Sequence, residues 1–448
     1  MKKVSIVSLS ILLIIVLLGL SFSACKGQAE HQTSTYVSFE VEMKGDTFKI
    51  LQLTDAHFIN ADSTSDDPSM DLVLRDEWAK TAITEVIRAA DPDMLVVTGD
   101  TTFTLELVTH IVPGTNDDNL EAFIKLADFI DGFNIPWLFC FGNHDEEGYL
   151  TLTPEDAVET KELLASYLQS SSIKNCLFDQ GPSSINGVGN YIVNVLNPDK
   201  TVNTSLVLFD SGSYLKFHDT EMNKNYYDQR KYEYVHDDQL DWYEKAIRDI
   251  SAVEGRTVPS IIYQHIPFPE YQKVLDAYVD ALEAQGETWS ETINGAWRFG
   301  TARTLSTAIG DVTYYGGVCN EADREVCCSF VGDWEYRKGK TLTYDGGKEF
   351  EKILSLGSTK YVFCGHDHRN TFSFSYKGVW LGYGMSIDYS ANGLIPPPFA
   401  HNQDIYDETE QRGATLVTIG KDSSVAVSQV PFTRNLYQEE IARRSTAA

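Results

Sequence analysis

Short apolar runs recur along this chain, and five of them break off at an Asp, Asn or His. Phe48-Lys-Ile-Leu-Gln-Leu53 gives way to Thr54-Asp55-Ala-His57, and Met94-Leu-Val-Val-Thr98 to Gly99-Asp100. Pro136-Trp-Leu-Phe-Cys-Phe141 stops at Gly142-Asn-His-Asp145, Pro259-Ser-Ile-Ile-Tyr-Gln264 at His265, and Tyr361-Val-Phe-Cys364 at Gly365-His-Asp-His368. Each run has the length of a buried strand. Ser205-Leu-Val-Leu-Phe209 reads as a further strand. Between them lie amphipathic helical stretches. Asp71 to Ala90 sets Trp78, Ala79, Ala82, Ile83, Val86 and Ile87 on one face, with Asp71 as cap and Asp91-Pro92 as stop. Leu120 to Phe133 and Asp238 to Ile250 follow the same pattern. This alternation predicts an α/β core with largely parallel central strands.

In open α/β sheets the carboxyl ends of the strands line a crevice, so the five polar tips are expected to converge. A glycine before Asp100, Asn143 and His366 permits a tight turn that aims the next side chain outward. Taken singly, an Asp-x-His, a Gly-Asp or a lone His has an ordinary structural explanation. All five in series mark a metal-capable site.

The N-terminus has a different logic. Lys2 and Lys3 precede an almost unbroken apolar run from Val4 to Leu20, and Ser23-Ala24 leads into Cys25. That layout predicts a secretory signal over residues 1–24, with Cys25 carrying a lipid at the head of a polar tether over 25–35. Phe22 stands where Leu is usual, and an uncleaved anchor helix is the alternative. Either places the rest of the chain outside the cytoplasm, at a membrane surface. One domain is expected over residues 36–435 and a tail over 436–448. The 42% hydrophobic content suits a substantial core, while a net charge of −29 argues against nucleic-acid partners. An anionic substrate on such a chain needs concentrated local positive charge, which bound metal ions supply. Cys140 and Cys364 fall in strand-like runs and read as buried; Cys319, Cys327 and Cys328 sit in a loop-like stretch with room for one disulfide.

The series Asp-x-His, Gly-Asp, Gly-Asn-His-Asp, His, Gly-His-x-His resembles the calcineurin-like metallophosphoesterase superfamily across nearly all of the mature chain. Gly142-Asn-His-Asp-Glu-Glu-Gly148, Gly189-Asn-Tyr191, Leu208-Phe-Asp-Ser-Gly212 and Tyr263-Gln-His-Ile-Pro-Phe-Pro-Glu-Tyr271 look like the branch of small fungal and plant phosphatases filed with purple acid phosphatases. The resemblance implies a four-layer α/β/β/α sandwich. It also implies one metal on Asp55, His57 and His368, a second on Asn143, His265 and His366, and Asp100 bridging the pair. Two such ions sit roughly 3.5–4 Å apart and activate a bridging water for in-line attack on phosphorus. True purple enzymes carry a Tyr ligand where this chain has Phe103 and lack a His at the position of His57, so Mn, Zn or Fe without tyrosinate colour is expected.

The family pattern places His144 above the metals, as a general acid for the leaving oxygen. Asp145 either orients that imidazole or caps the turn, and Asp367 serves the turn or a hydrogen bond to a ligating His. The stretch from about Thr288 to Gly347 reads as a loop excursion near the site. Trp297, Arg298, Tyr314 and Tyr315 lie within it; Arg298 is a candidate substrate contact or else solvated surface, and Tyr149 has the same standing. The expected activity is hydrolysis of phosphomonoesters on a small molecule or protein. Phosphodiester cleavage of nucleotides or lipid head groups is the alternative, and a metal-binding surface protein that recognises phosphorylated ligands is the reading outside catalysis.

Overall fold

The computed structural model describes residues 34–60, 71–103, 119–145, 154–213, 232–289, 302–317, 348–391, 405, 411–435 and 438, with backbone alone at 119 and 154–160. The leader with Cys25, Tyr149, Trp297, Arg298, Cys319, Cys327, Cys328 and the tail from 439 lie outside the described residues.

The first half of the fold comprises β1 (Phe39–Glu42), β2 (Thr47–Leu53), α1 (Leu72–Ala90), β3 (Met94–Thr98), α2 (Asn119–Asp131), β4 (Trp137–Cys140) and α3 (Pro154–Leu168). The chain continues through β5 (Tyr191–Leu196), β6 (Val202–Leu208), α4 (Asp237–Glu254), β7 (Ser260–Tyr263) and α5 (Glu270–Glu283). A hairpin of β8 (Arg303–Thr307) and β9 (Gly310–Tyr314) comes next, then α6 (Lys348–Leu356) and β10 (Thr359–Cys364). The strands β11 (Ser373–Tyr376), β12 (Val379–Tyr383), β13 (Gly413–Gly420) and β14 (Val425–Pro431) complete the order.

Two sheets result, one ordered β14-β13-β2-β3-β4 and the other β1-β5-β6-β7-β10-β12-β11-β9-β8. Their central pairs, β2 with β3, β3 with β4, β6 with β7, β7 with β10 and β10 with β12, are all parallel. Parallel strands covered on both faces read as continuous apolar runs, which is why Met94–Thr98 is buried throughout.

The layering follows from the two-residue period of the strands. Val193, Leu206, Ile261 and Phe363 face the other sheet and share a core with Ile50, Val96 and the helix residues Ile83 and Phe123. Their neighbours Ile192, Val207, Ile262 and Val362 point the opposite way, into a second core with Tyr243, Val274 and Ile353 of α4, α5 and α6. Helices therefore cover both outer faces, and the chain is a four-layer α/β/β/α sandwich as expected. No described helix is long and apolar enough to cross a membrane.

Local signals set the boundaries. The Asp71 carboxylate accepts from the Leu74 N–H at 2.9 Å and starts α1, and Asp91 ends it in the left-handed region. Helix α4 runs a turn past the expected Ile250, because its stop is Gly255, with φ of 67°. The stretch expected as an irregular excursion contains the β8–β9 hairpin, which extends the edge of the larger sheet. Tyr314 is buried there against Tyr278, Trp289 and Phe374, and Tyr315 lies on the Trp380 ring at 4.1 Å. Both tyrosines thus pack against neighbouring rings. Cys140 and Cys364 are buried free thiols, as expected.

One buried acid makes stability depend on pH. Burial pushes Glu349 on α6 from 4.5 up to about 8, Gln264 opposing the rise and Glu270 adding to it. The folded chain therefore keeps a proton that the unfolded chain releases in the ordinary carboxylate range. This contribution is complete below that range, is lost as pH rises through about 8, and stays level above. Glu349→Gln is expected to gain stability relative to the parent between about pH 5 and pH 9 in urea unfolding. Identical pH profiles for the two proteins refute the assignment.

Candidate metal centre

Strand register brings the tips together. Leu53 lies opposite Val97 and Thr98 opposite Cys140 in the smaller sheet. In the larger, Leu208 is opposite Tyr263, Tyr263 opposite Phe363, and Cys364 opposite Tyr383. The two carboxyl edges then meet. Thr54 bridges Ser386, and the buried Gln52 amide donates to Thr98 Oγ1 at 2.9 Å and to the Cys364 carbonyl at 3.2 Å. Across the same joint the His366 N–H donates to Asp55 Oδ1 at 2.9 Å.

The loops beyond the tips are held in unusual shapes. Asp55, His57, Asp100 and His366 all have positive φ, at 52°, 46°, 47° and 78°. Side chains in that region cost about 1–3 kcal/mol each and persist only where the surroundings over-determine them. Here they do: the N–H groups of Asp55 and His57 donate to the carbonyls of Gly99 and Asp100 at 3.1 and 3.0 Å. Gly99 itself needs its φ of 78°. Gly142 and Gly365 are required for room instead: a Cβ at Gly142 would strike Asp100, and one at Gly365 would strike Thr54 and Asp55.

Asp145 is the clamp beneath these loops. It is fully buried and accepts from the N–H groups of Asp100 (3.1 Å), Thr101 (2.8 Å) and Gly142 (2.7 Å), and from the Thr101 hydroxyl (2.5 Å). Both carboxylate oxygens are committed to the turn, so the expectation that Asp145 orients His144 is corrected in favour of turn-holding. The carboxylate of Asp367 is likewise occupied by the Tyr383 hydroxyl, at 2.5 Å.

The remaining expected residues come together in two groups that share Asp100. Ligand atoms of Asp55, His57, Asp100 and His368 lie within 4.8 Å of one another, and so do those of Asp100, His265 and His366. Asn143 joins the second group, its Oδ1 3.2 Å from His265 Nε2. The same nitrogen is 3.0 Å from Asp100 Oδ2 and 3.3 Å from His366 Nδ1. His265 Nδ1 donates to the Thr98 carbonyl at 2.8 Å, so Nε2 of the neutral ring turns a lone pair toward this cluster of acceptors. Both ring nitrogens of His57, Asp100 Oδ2 and His366 Nε2 are buried with no hydrogen-bond partner among the described residues.

Such a concentration of acceptors demands positive charge. Burial opposes charging His57, yet Asp388, Asp100 and Asp55 push it up to about 9. Burial likewise opposes charging His265, and Asp100 and Asp55 push it up to about 9. Burial would raise Asp100, but His265 and His144 hold it well below the usual range. Burial and the neighbouring His265 keep His366 well below its ordinary value. A bound cation meets the same demand, and this mixture of imidazole, carboxylate and amide oxygen suits a divalent metal ion.

His144 stands beside this cluster. Its N–H donates to Asp100 Oδ1 at 2.8 Å, its Nε2 is 3.9 Å from Asp100 Oδ2, and its ring meets Phe103 and His57 edge-on at 5.0 and 5.2 Å. Its side chain keeps 14% exposure, enough to meet a substrate. Asp388 was not anticipated: its Oδ1 is 3.7 Å from His57 Nδ1 and its Oδ2 is 3.2 Å from His368 Nδ1. It follows the tip of β12, a strand whose Val-Trp-Leu-Gly-Tyr sequence could have flagged a sixth strand end.

The clamp yields a direct test. Asp145→Asn turns an amide toward donors that the carboxylate now accepts from, and is expected to cost about 2–4 kcal/mol in denaturant unfolding. A loss below about 0.5 kcal/mol is inconsistent with turn-holding.

Comparison with known proteins agrees with this geometry. The family model for calcineurin-like phosphoesterases matches residues 48–291, more than half of the chain. Probable inactive purple acid phosphatase 28 of Arabidopsis thaliana is 25% identical over 356 residues, covering 78% of this chain and 72% of that protein. Phosphatase DCR2 of Saccharomyces cerevisiae is 26% identical over 231 residues, 51% of this chain and 36% of its own. A dimetal phosphatase from Danio rerio gives a loose structural match, with a TM-score of 0.42 and 12% identity over 86% of this chain and 98% of the other. With the family model matched over more than half its length, the chain belongs to the calcineurin-like phosphoesterase family.

Proposed function

We propose that this protein is a metal-dependent phosphatase that hydrolyses phosphomonoesters, with two ions held in the two groups that share Asp100. One ion falls to Asp55, His57 and His368, the other to Asn143, His265 and His366. The observation that carries this reading is the position of Asp100 in both groups, buried and with Oδ2 lacking a hydrogen-bond partner among the described residues. When bound, such a pair of Mn, Zn or Fe ions supplies charge for the phosphoryl oxygens and acidifies water.

The chain's own residues do the rest. Asp100 pins the main chain of His144 through Oδ1, which fixes the imidazole relative to the metal ligands. Phe103 packs its edge, so the ring has little freedom to swing away. From that place Nε2 hands a proton to the departing oxygen, which would otherwise leave as an alkoxide. The Arabidopsis relative is named as inactive. Support for activity here is the complete set of ligand side chains together with His144.

Metal-stripped protein reloaded with Mn²⁺, Zn²⁺ or Fe²⁺ is expected to turn over p-nitrophenyl phosphate faster than its bis ester. His144→Ala should lower kcat on the monoester by roughly 10²–10⁴-fold. Preference for the bis ester would transfer the assignment to nucleotide or lipid-head-group diesters. Phosphate binding without turnover on any metal would leave a recognition protein.

We also propose that the domain works outside the cytoplasm, tethered through lipid on Cys25. The support is the basic Lys2-Lys3 start, the apolar Val4–Leu20 run and the small residues before Cys25. Cys25→Ser is expected to abolish lipid labelling and release the domain from membranes; labelling that persists in the variant rules the anchor out.

A further inference from the structure

Asp388 is built into the fold with unusual care. Its Oδ1 accepts from the N–H groups of Ser390 and Ala391 at 2.8 and 2.7 Å, and its own N–H donates to Ser386 Oγ at 3.0 Å. Its carbonyl accepts from Arg412 Nε at 2.6 Å, and the Arg412 guanidinium lies 4.2 Å over the Tyr389 ring. The next carbonyl, that of Tyr389, accepts from the buried Arg75. A turn braced this way from three sides fixes where one carboxylate points.

That carboxylate points at two imidazoles of the same group. His57 and His368 stand with ring centroids 4.2 Å apart; His368 Nδ1 is within hydrogen-bond distance of Asp388 at 3.2 Å, while His57 Nδ1 faces the same carboxylate at 3.7 Å, beyond hydrogen-bond length. Their Nε2 atoms face the opposite way, 3.6 Å from Asp100 Oδ2 and 3.9 Å from Asp55 Oδ1 respectively. A carboxylate behind an imidazole fixes the tautomer and makes the far nitrogen a stronger ligand. The other group differs: His265 is backed by a neutral carbonyl, and Asn143 supplies a neutral oxygen. Among the described residues Asp388 thus adds a carboxylate behind the rings of the first group, where the second has the Thr98 carbonyl.

We propose that Asp388 is a positioning residue that holds His368 with Nδ1–H toward its carboxylate and places a negative charge behind His57, with both Nε2 atoms on the far side where a metal would bind. It thereby makes the Asp55–His57–His368 half the tighter of two metal sites. The inference rests on the two-ion reading above. Asp388→Asn is the informative variant, because its amide oxygen can still accept from Ser390 and Ala391 while the negative charge is gone.

The experiment is calorimetric titration of metal-stripped full-length protein with Zn²⁺. The parent should bind in two steps, and His57→Ala should remove the tighter one. Asp388→Asn should weaken that tighter step by roughly 10–100-fold and leave the other within about threefold. Its metal-free unfolding midpoint should match the parent's. Should that midpoint fall, Asp388→Glu provides the same comparison with the charge retained but displaced, and the tighter step should again be the one weakened. Two unchanged steps in the variant overturn the role of Asp388 alone. A parent that binds no metal, or a single ion, overturns the two-ion reading and this inference with it.

Discussion

Burying several carboxylates in one place is costly, and the organisation of this molecule follows from how that cost is met. Asp55, Asp100, Asp145 and Asp388 all lie at the meeting edge of the two sheets, each nearly inaccessible to water. An isolated buried carboxylate is worth many kcal/mol of desolvation unless donors or cations surround it. Asp145 is offset by main-chain N–H groups and a hydroxyl, and Asp388 by the amides of its own turn. Asp55 receives one N–H from His366, and Asp100 one from His144. For the last two that is short of what their oxygens demand, and the balance falls to imidazolium protons or to metal. The site is thus a region where the fold leaves a deficit of positive charge.

The strained loops make sense in the same terms. Left-handed backbone at Asp55, His57, Asp100 and His366 turns these side chains back toward one another instead of along the strand direction. Asp145 stabilises the shape around Asp100 from below, where no substrate reaches. The geometry of the clustered side chains is carried by main-chain hydrogen bonds behind them as much as by the side chains themselves.

Much of this was readable from residue order alone. Strand-length apolar runs, helical periodicity and the five polar tips indicated the layered α/β core, and the structure gathers all seven expected ligand side chains into adjoining groups. What escaped was information that does not live in local sequence. Asp145 sits in the most conspicuous motif, yet its partners across the turn at Asp100 and Thr101 are more than forty positions earlier. Asp388 follows a strand tip without a preceding Gly-polar signature, and its significance depends on His57, from the other sheet. Gly142 and Gly365 were read as turn formers, whereas their need is for space against side chains from distant strands. The hairpin at β8 and β9 was obscured by its unpatterned surroundings.

The joint at Gln52 carries a mechanical consequence. Asp55 and His57 come from the smaller sheet and His368 from the larger; Asn143 comes from the smaller, His265 and His366 from the larger. Each group is therefore stitched across the seam, where the Gln52 amide, the Thr54–Ser386 bridge, the His366 N–H on Asp55 and His265 Nδ1 on the Thr98 carbonyl join the two sheets. Movement of one sheet past the other would therefore break these hydrogen bonds and pull both groups of side chains apart at once.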